Sequence, residues 1–257
     1  MKKINLLLLA LATFSVCLFV SCGGSDEDDG TSGTETPEKI IDTKPITMYV
    51  GKEHTIQGAD TINSSNPFVA YGTKNVVHAW HVGEASLLVN GKATVPVTVL
   101  PKYTLYDGPI CNWGCDVNYI KENQKQGTLE EKTVSGQYVC GYKDAGAASL
   151  LTYNFVDGKL KTILALVSTK YTTDYAKFLA ERYYMFPEYE GKKYYFIGAD
   201  NTDVDIATTV VYTEVYSVDY LLTAYMSMNE YKSSTRSSNI EQLMEEAKNL
   251  INEIKID

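Results

Sequence analysis

Residues 149–168 read Ser-Leu-Leu-Thr-Tyr-Asn-Phe-Val-Asp-Gly-Lys-Leu-Lys-Thr-Ile-Leu-Ala-Leu-Val-Ser. Two runs of aliphatic and aromatic residues, 149–156 and 159–168, flank the pair Asp157-Gly158. Asp-Gly between such runs signals a tight hairpin, because the turn that suits strand twist needs positive φ at both central residues. A third run at 137–142 extends the hairpin to three consecutive strands. Upstream, the spacing of Trp113, Val117 and Ile120 predicts a helix over 112–126, stopped by Gly127. Downstream, Tyr175, Phe178, Leu179 and Arg182 fall in helical register and predict a second helix over 173–185. Three more strands follow at 193–198, 206–212 and 219–226. The order α-β-β-β occurs twice, which predicts an α+β domain over 103–257: one antiparallel sheet with helices on one face. The C-terminal segment is amphipathic, with Ser238 and Glu241 as a capping box and Ile240, Leu243, Ala247, Leu250, Ile251 and Ile254 at helical spacing. It packs on its own domain or serves a partner.

Residues 46–102 have a different texture. Short apolar runs at 46–50, 54–57, 68–71, 76–80, 85–89 and 93–100 alternate with glycine turns at Gly51, Gly58, Gly72, Gly83 and Asn90-Gly91. Short strands at regular spacing predict an all-β sandwich. Val50-Gly51-Lys52-Glu53, Asn66-Pro67-Phe68-Val69-Ala70, Val76-Val77-His78-Ala79, Val82-Gly83-Glu84-Ala85 and Val95-Pro96-Val97-Thr98-Val99 resemble bacterial immunoglobulin-like domains of the second group. That resemblance implies an Ig-like fold and a spacer role, and says little about activity.

The first residues set the location. Lys2 and Lys3 precede an apolar run from Ile4 to Val20, and Cys22 follows Ser21. This is the layout of a secretory signal over 1–21. Its end at Cys22 resembles bacterial lipoprotein signals, in which the cysteine thiol receives the lipid. The acidic run Asp26-Glu27-Asp28-Asp29 resembles the surface-export address of Bacteroidetes-type lipoproteins. Residues 22–45, rich in Gly, Ser, Thr, Asp, Glu and Pro, read as a flexible tether. The expected location is the outer membrane, lipid-anchored and facing outward.

A formal net charge of −9 argues against nucleic acid, which needs a basic footprint. Beyond Cys17 and Cys22, three cysteines remain: Cys111, Cys115 and Cys140. They allow one disulfide at most and leave a thiol over. No histidine neighbours them, so a zinc site is not expected. All three histidines lie within 46–102, and His78 and His81, three apart on a strand, point to opposite faces. Trp80 shares a face with His78 and is expected in the core or at the domain junction. No cofactor is implied.

Catalytic constellations are sparse. The carboxylates Glu188 with Glu190, and Asp200 with Asp203 and Asp205, could serve a small hydrolase. The last three lack the glycine turn and spacing of a calcium loop. The 20 tyrosines are the remaining signal: only Tyr49 and Tyr71 precede Tyr103. Tyrosine suits both a half-buried sheet and a ligand platform. The segment 186–195, with Tyr189, Tyr194 and Tyr195, is the expected exposed aromatic patch.

The expectation is a non-catalytic surface lipoprotein that adheres to a host or matrix ligand through its C-terminal domain. The alternative is a glycan-binding lipoprotein of a nutrient-uptake system. Cys22→Ala should appear as soluble or precursor protein on cell fractionation. Retention of a processed mutant in the membrane would refute the anchor.

Overall fold

In the computed structural model the described residues are 40–134, 136–185, 196–233 and 238–254. Cys22 lies outside them, as does the loop with Glu188, Tyr189, Glu190, Tyr194 and Tyr195. Among the described residues no helix is long and apolar enough to cross a membrane.

The N-terminal strands are β1 (Ile46–Tyr49), β2 (Glu53–Thr55), β3 (Ile62–Ser64), β4 (Ala70–Thr73), β5 (Val76–Ala79), β6 (Gly83–Val89) and β7 (Ala93–Leu100). They form two sheets, ordered β1-β7-β6-β3 and β2-β5-β4, with β1 parallel to β7. Alternation along β6 and β7 sends Ala85, Leu87, Val89, Val95, Val97 and Val99 inward, where Val77 of the other sheet joins the same core. The β6–β7 turn places both Asn90 and Gly91 at positive φ (51° and 68°), and Lys92 completes the loop between the paired Val89 and Ala93. β3 was not expected, since its three residues carry almost no apolar pattern. Two contacts hold it. Asn90 Oδ1 accepts from the Asp60 and Thr61 amides just before it (2.7 and 3.1 Å). Gly72 lets Ile62 approach so closely that a Cβ there would stand 2.4 Å from the Ile62 Cβ.

The larger sheet contains β8 (Thr128–Val134), β9 (Gln137–Ala145), β10 (Ala148–Val156), β11 (Lys159–Ser168), β12 (Tyr184–Met185), β13 (Phe196–Ala199), β14 (Thr209–Val215) and β15 (Tyr220–Ser227). Its order is β12-β13-β14-β15-β11-β10-β9-β8. Two four-strand meanders are thus joined through β11 and β15. The helices are α1 (Val117–Asn123), α2 (Thr172–Ala180), α3 (Met228–Ser233) and α4 (Ser238–Ile254). The repeat is therefore α-β-β-β-β, one strand longer than expected. β8 escaped notice because nearly all its side chains are exposed, leaving no alternation to read. α1 is shorter than 112–126 because Asp116 caps it, Oδ1 accepting the Tyr119 amide at 3.0 Å. Trp113 sits in the preceding loop, its indole N–H donating to Thr209 Oγ1 at 3.0 Å.

The expectation of helices on one face is corrected. Along β10 and β11, Leu151, Tyr153, Ile163 and Ala165 share one core with Ile120 of α1 and Tyr175, Phe178 and Leu179 of α2. Their neighbours Leu150, Leu164 and Leu166 point the other way, into a second core with Ile240, Met244, Ala247 and Ile251 of α4. Both faces of the central strands are apolar, so each requires a cover, and the apolar stripe of α4 supplies the second.

The sheet curves around that helix. The Tyr216 hydroxyl, just past β14, donates to Asn252 Oδ1 at 2.6 Å, and Lys132 of β8 reaches the Glu253 carbonyl at 2.7 Å. Four strands lie between β14 and β8, a separation of about 24 Å in a flat sheet at ~4.8 Å per strand. Neighbouring residues of one helix touch both, so the sheet forms a trough with α4 in it.

Of the two roles open to the tyrosines, sheet filling and ligand platform, seven described residues take the first. Tyr106, Tyr142, Tyr153, Tyr175, Tyr183, Tyr212 and Tyr225 are buried. Tyr106 and Tyr225 share a hydroxyl hydrogen bond of 2.8 Å, and Tyr175 donates to Thr223 Oγ1 at 2.7 Å. Burial lifts Tyr106 and Tyr225 well above the ordinary tyrosine range, so both stay neutral. Tyr106, Tyr175 and Tyr225 fill the core with their polar tips satisfying one another, whereas the Tyr142 hydroxyl is buried without a partner.

Ile251→Ala should cost about 2–5 kcal/mol through the cavity it leaves. Ending the chain at Ser233 should lower the melting temperature sharply. An unchanged melting temperature in both would show that α4 does not cover the sheet.

Candidate functional site

Beside α4 the trough stays open as a cleft of ≈ 1110 Å³, just beyond the ~300–1,000 Å³ usual for small-molecule sites. Asn154, Thr162 and Met226, paired across β10, β11 and β15, form its floor with Leu164. One wall is α4, where helical spacing sets out two parallel stripes. Leu243, Ala247 and Leu250 lie low, and Gln242, Glu246, Asn249 and Glu253 form the rim. Glu230 and Tyr231 of α3 close one side, and Val134 and Gln137 of the β8–β9 hairpin close another.

The floor is polar where an apolar residue would fit. Asn154 is 2% exposed, and its Oδ1 has no hydrogen-bond partner. Thr152, two residues back on the same face, has a buried hydroxyl in the same condition. Leaving such a group unsatisfied costs about 1–3 kcal/mol, a cost a ligand hydroxyl could remove at Asn154. The third buried polar group on this face is paired. Glu214 Oε1 lies 2.7 Å from Lys248 Nζ of α4 as an ion pair. Among the described residues lining the cleft the one cation, Lys161, pairs with Glu230. Glu246 and Glu253 leave the walls net acidic.

The residues singled out from sequence scatter. Asp200 is occupied in shaping its own loop: Oδ1 accepts the Thr208 and Thr209 amides at 2.7 and 3.0 Å, and Oδ2 accepts the Thr208 hydroxyl. Asp203 accepts the Asp205 amide, and Asp205 pairs with Lys232 at 3.2 Å. Cys111, Cys115 and Cys140 are free thiols. Burial pushes Cys111 up to about 12 and Cys140 up to about 11, which suppresses thiolate chemistry. Among the described residues no group of His, Cys, Asp and Glu converges as a metal site. The cleft escaped the sequence reading, yet it left a signal. Thr152 and Asn154 alternate within an otherwise apolar strand, and polar residues at core positions of a strand call for a reason.

His54 and His78 lie on β2 and β5, and the Trp80-His81-Val82 stretch lies at the junction with the larger sheet. His78 contacts Glu53 at 3.0 Å and stacks on Tyr71. Trp80 is 38% exposed rather than in the core, with its edge toward Tyr184 across the junction. His81 is buried: its ring stacks on Phe68 at 3.8 Å, and Nδ1–H donates to the Phe68 carbonyl at 2.8 Å. The adjacent Val82 amide bonds the Glu181 carbonyl at 2.8 Å. The Glu181 carboxylate in turn accepts the amides of Lys102 and Tyr103 at 2.9 and 3.1 Å.

Compared with family models, curated proteins and solved structures, the chain matches none.

Burial pulls His81 below the ordinary 6.5, so the unfolded chain binds that proton first as pH falls. Stability is complete above about 6.5 and declines as pH drops from there through the lower folded value. Urea unfolding of His81→Phe should show a flatter pH dependence across that window. An identical pH slope in both proteins would contradict the role of His81.

Proposed function

We propose that the protein is a non-catalytic, lipid-anchored outer-membrane protein that faces outward and binds a ligand in the cleft between α4 and the sheet. The observation that carries this reading is the cleft itself, with a buried, unpartnered acceptor in its floor. Such an arrangement suits recognition, since apolar stripes supply area and a few polar groups orient the ligand. Cys22 provides the membrane link, residues 22–45 the tether, and residues 46–102 an Ig-like spacer. Two sheets sharing one core, the larger of them edged by β1 parallel to β7, support the spacer assignment. The non-catalytic reading is supported by the occupied states of the best chemical candidates: protonated thiols, an aspartate bound into its loop and a buried neutral histidine.

Two ligand classes follow from an outward-facing anchor, a host or matrix protein and a glycan. The carboxamide-lined rim favours the second. Leu243→Trp should fill the cleft from a half-buried position at the edge of the second core. Cells displaying this full-length variant should lose adhesion to glycan-coated and matrix-coated surfaces while the melting temperature holds. Undiminished adhesion would remove the cleft from the proposal.

A further inference from the structure

We infer that the ligand of this cleft is an uncharged oligosaccharide. The inference rests on the cleft being the binding site proposed above, and it concerns the chemistry of what enters. Charge narrows the choice first. Among the described residues the one cation lining the cleft, Lys161, is engaged by Glu230, while Glu246 and Glu253 stand on the helix wall. An anion would meet repulsion from these carboxylates.

Hydrogen-bonding capacity separates a neutral polyol from a cation. Five carboxamides line the cleft: Gln137, Asn154, Gln242, Asn249 and Asn252. Each offers both a donor and an acceptor, as does every sugar hydroxyl. A cationic ligand would use the acceptors and leave the amide N–H groups unmatched. Two of the amides are already turned by neighbours. Gln242 Nε2 donates to Glu246 Oε1 at 2.8 Å, which leaves its carbonyl oxygen to accept. Asn252 Oδ1 accepts the Tyr216 hydroxyl, which leaves its NH₂ to donate. The wall thus presents mixed polarity along one helix, as a chain of hydroxyls requires.

The apolar part fits the same ligand. Leu243, Ala247 and Leu250 run below the rim, and Leu164 and Met226 complete the floor. A sugar ring carries a C–H face as well as its hydroxyl edge, and this arrangement covers both. At the floor, Asn154 Oδ1 lacks a donor, and a hydroxyl inserted there would supply it.

The test uses the full-length lipidated chain in a non-glycosidic detergent, with binding measured by calorimetry. The probes are neutral gluco-, manno- and galacto-oligosaccharides, their sialylated counterparts, and tetralysine. At least one neutral series should bind. Gln242→Ala and Asn249→Ala, both on the exposed rim, should each weaken it by about three- to tenfold, with unchanged melting temperatures. Preference for tetralysine or for the sialylated sugars would overturn the inference. So would neutral-sugar binding that neither rim variant weakens. Failure of every neutral sugar, with adhesion still sensitive to Leu243→Trp, would overturn the ligand class alone and leave the cleft as the binding site.

Discussion

The larger sheet depends on the seam between β11 and β15. Seven consecutive pairs, from Thr162↔Met226 to Ser168↔Tyr220, join two meanders that are otherwise each built from local hairpins. Without it each half would expose a long unpaired edge, and neither core would close. Tyr225 and Thr223 sit on the seam and reach Tyr106 and Tyr175 on one side. Leu222 and Ala224 pack beneath α4 on the other. The hydroxyl network and the apolar trough are therefore two faces of the same pairing.

A sheet covered twice constrains every residue in its centre. The segment Ile163-Leu164-Ala165-Leu166-Val167 is apolar without interruption because successive side chains enter different cores. Polar groups in such strands must find partners or accept a cost. Thr213 and Thr223 share a hydrogen bond at 2.9 Å, and Tyr175 joins them. Among the described residues Asn154 alone combines burial, an unpartnered acceptor and a place in the cleft floor, which is the ground for proposing the cleft as the site.

Much of the secondary structure could be read from the chain. The Asp157-Gly158 and Asn90-Gly91 turns carry their conformation in their residue types, and β10, β11, β6 and β7 follow. α4 announced itself by its stripe. β8 and β3 did not, because one is exposed on nearly every side chain and the other is held by a single asparagine and a close approach at Gly72. The position of α4 was equally hidden. An amphipathic stripe states that a helix needs a partner and not which face provides it. The uninterrupted run at 163–167 carried the missing information, since a strand with one solvated face would alternate. The tyrosines were half legible for a related reason. Their composition suits sheet filling and a surface platform alike, and that Tyr106, Tyr175 and Tyr225 satisfy one another's hydroxyls is encoded by no local pattern.

The seam has a further property. Its pairing is centred on Ala165 opposite Thr223, and each half contributes one helix followed by four strands. This is the geometry of an isologous contact, as two copies of one subunit meeting about a twofold axis would make. α1 and α2 both lie on the same face, as an axis normal to the sheet demands. α4 breaks that symmetry. Its ionic and phenolic contacts go to Glu214 and Tyr216 in and beside the second meander, while the cleft floor draws Asn154, Thr162 and Leu164 from the first. A single helix laid across a pseudo-symmetric trough covers one half more fully than the other. The cleft is the half left over.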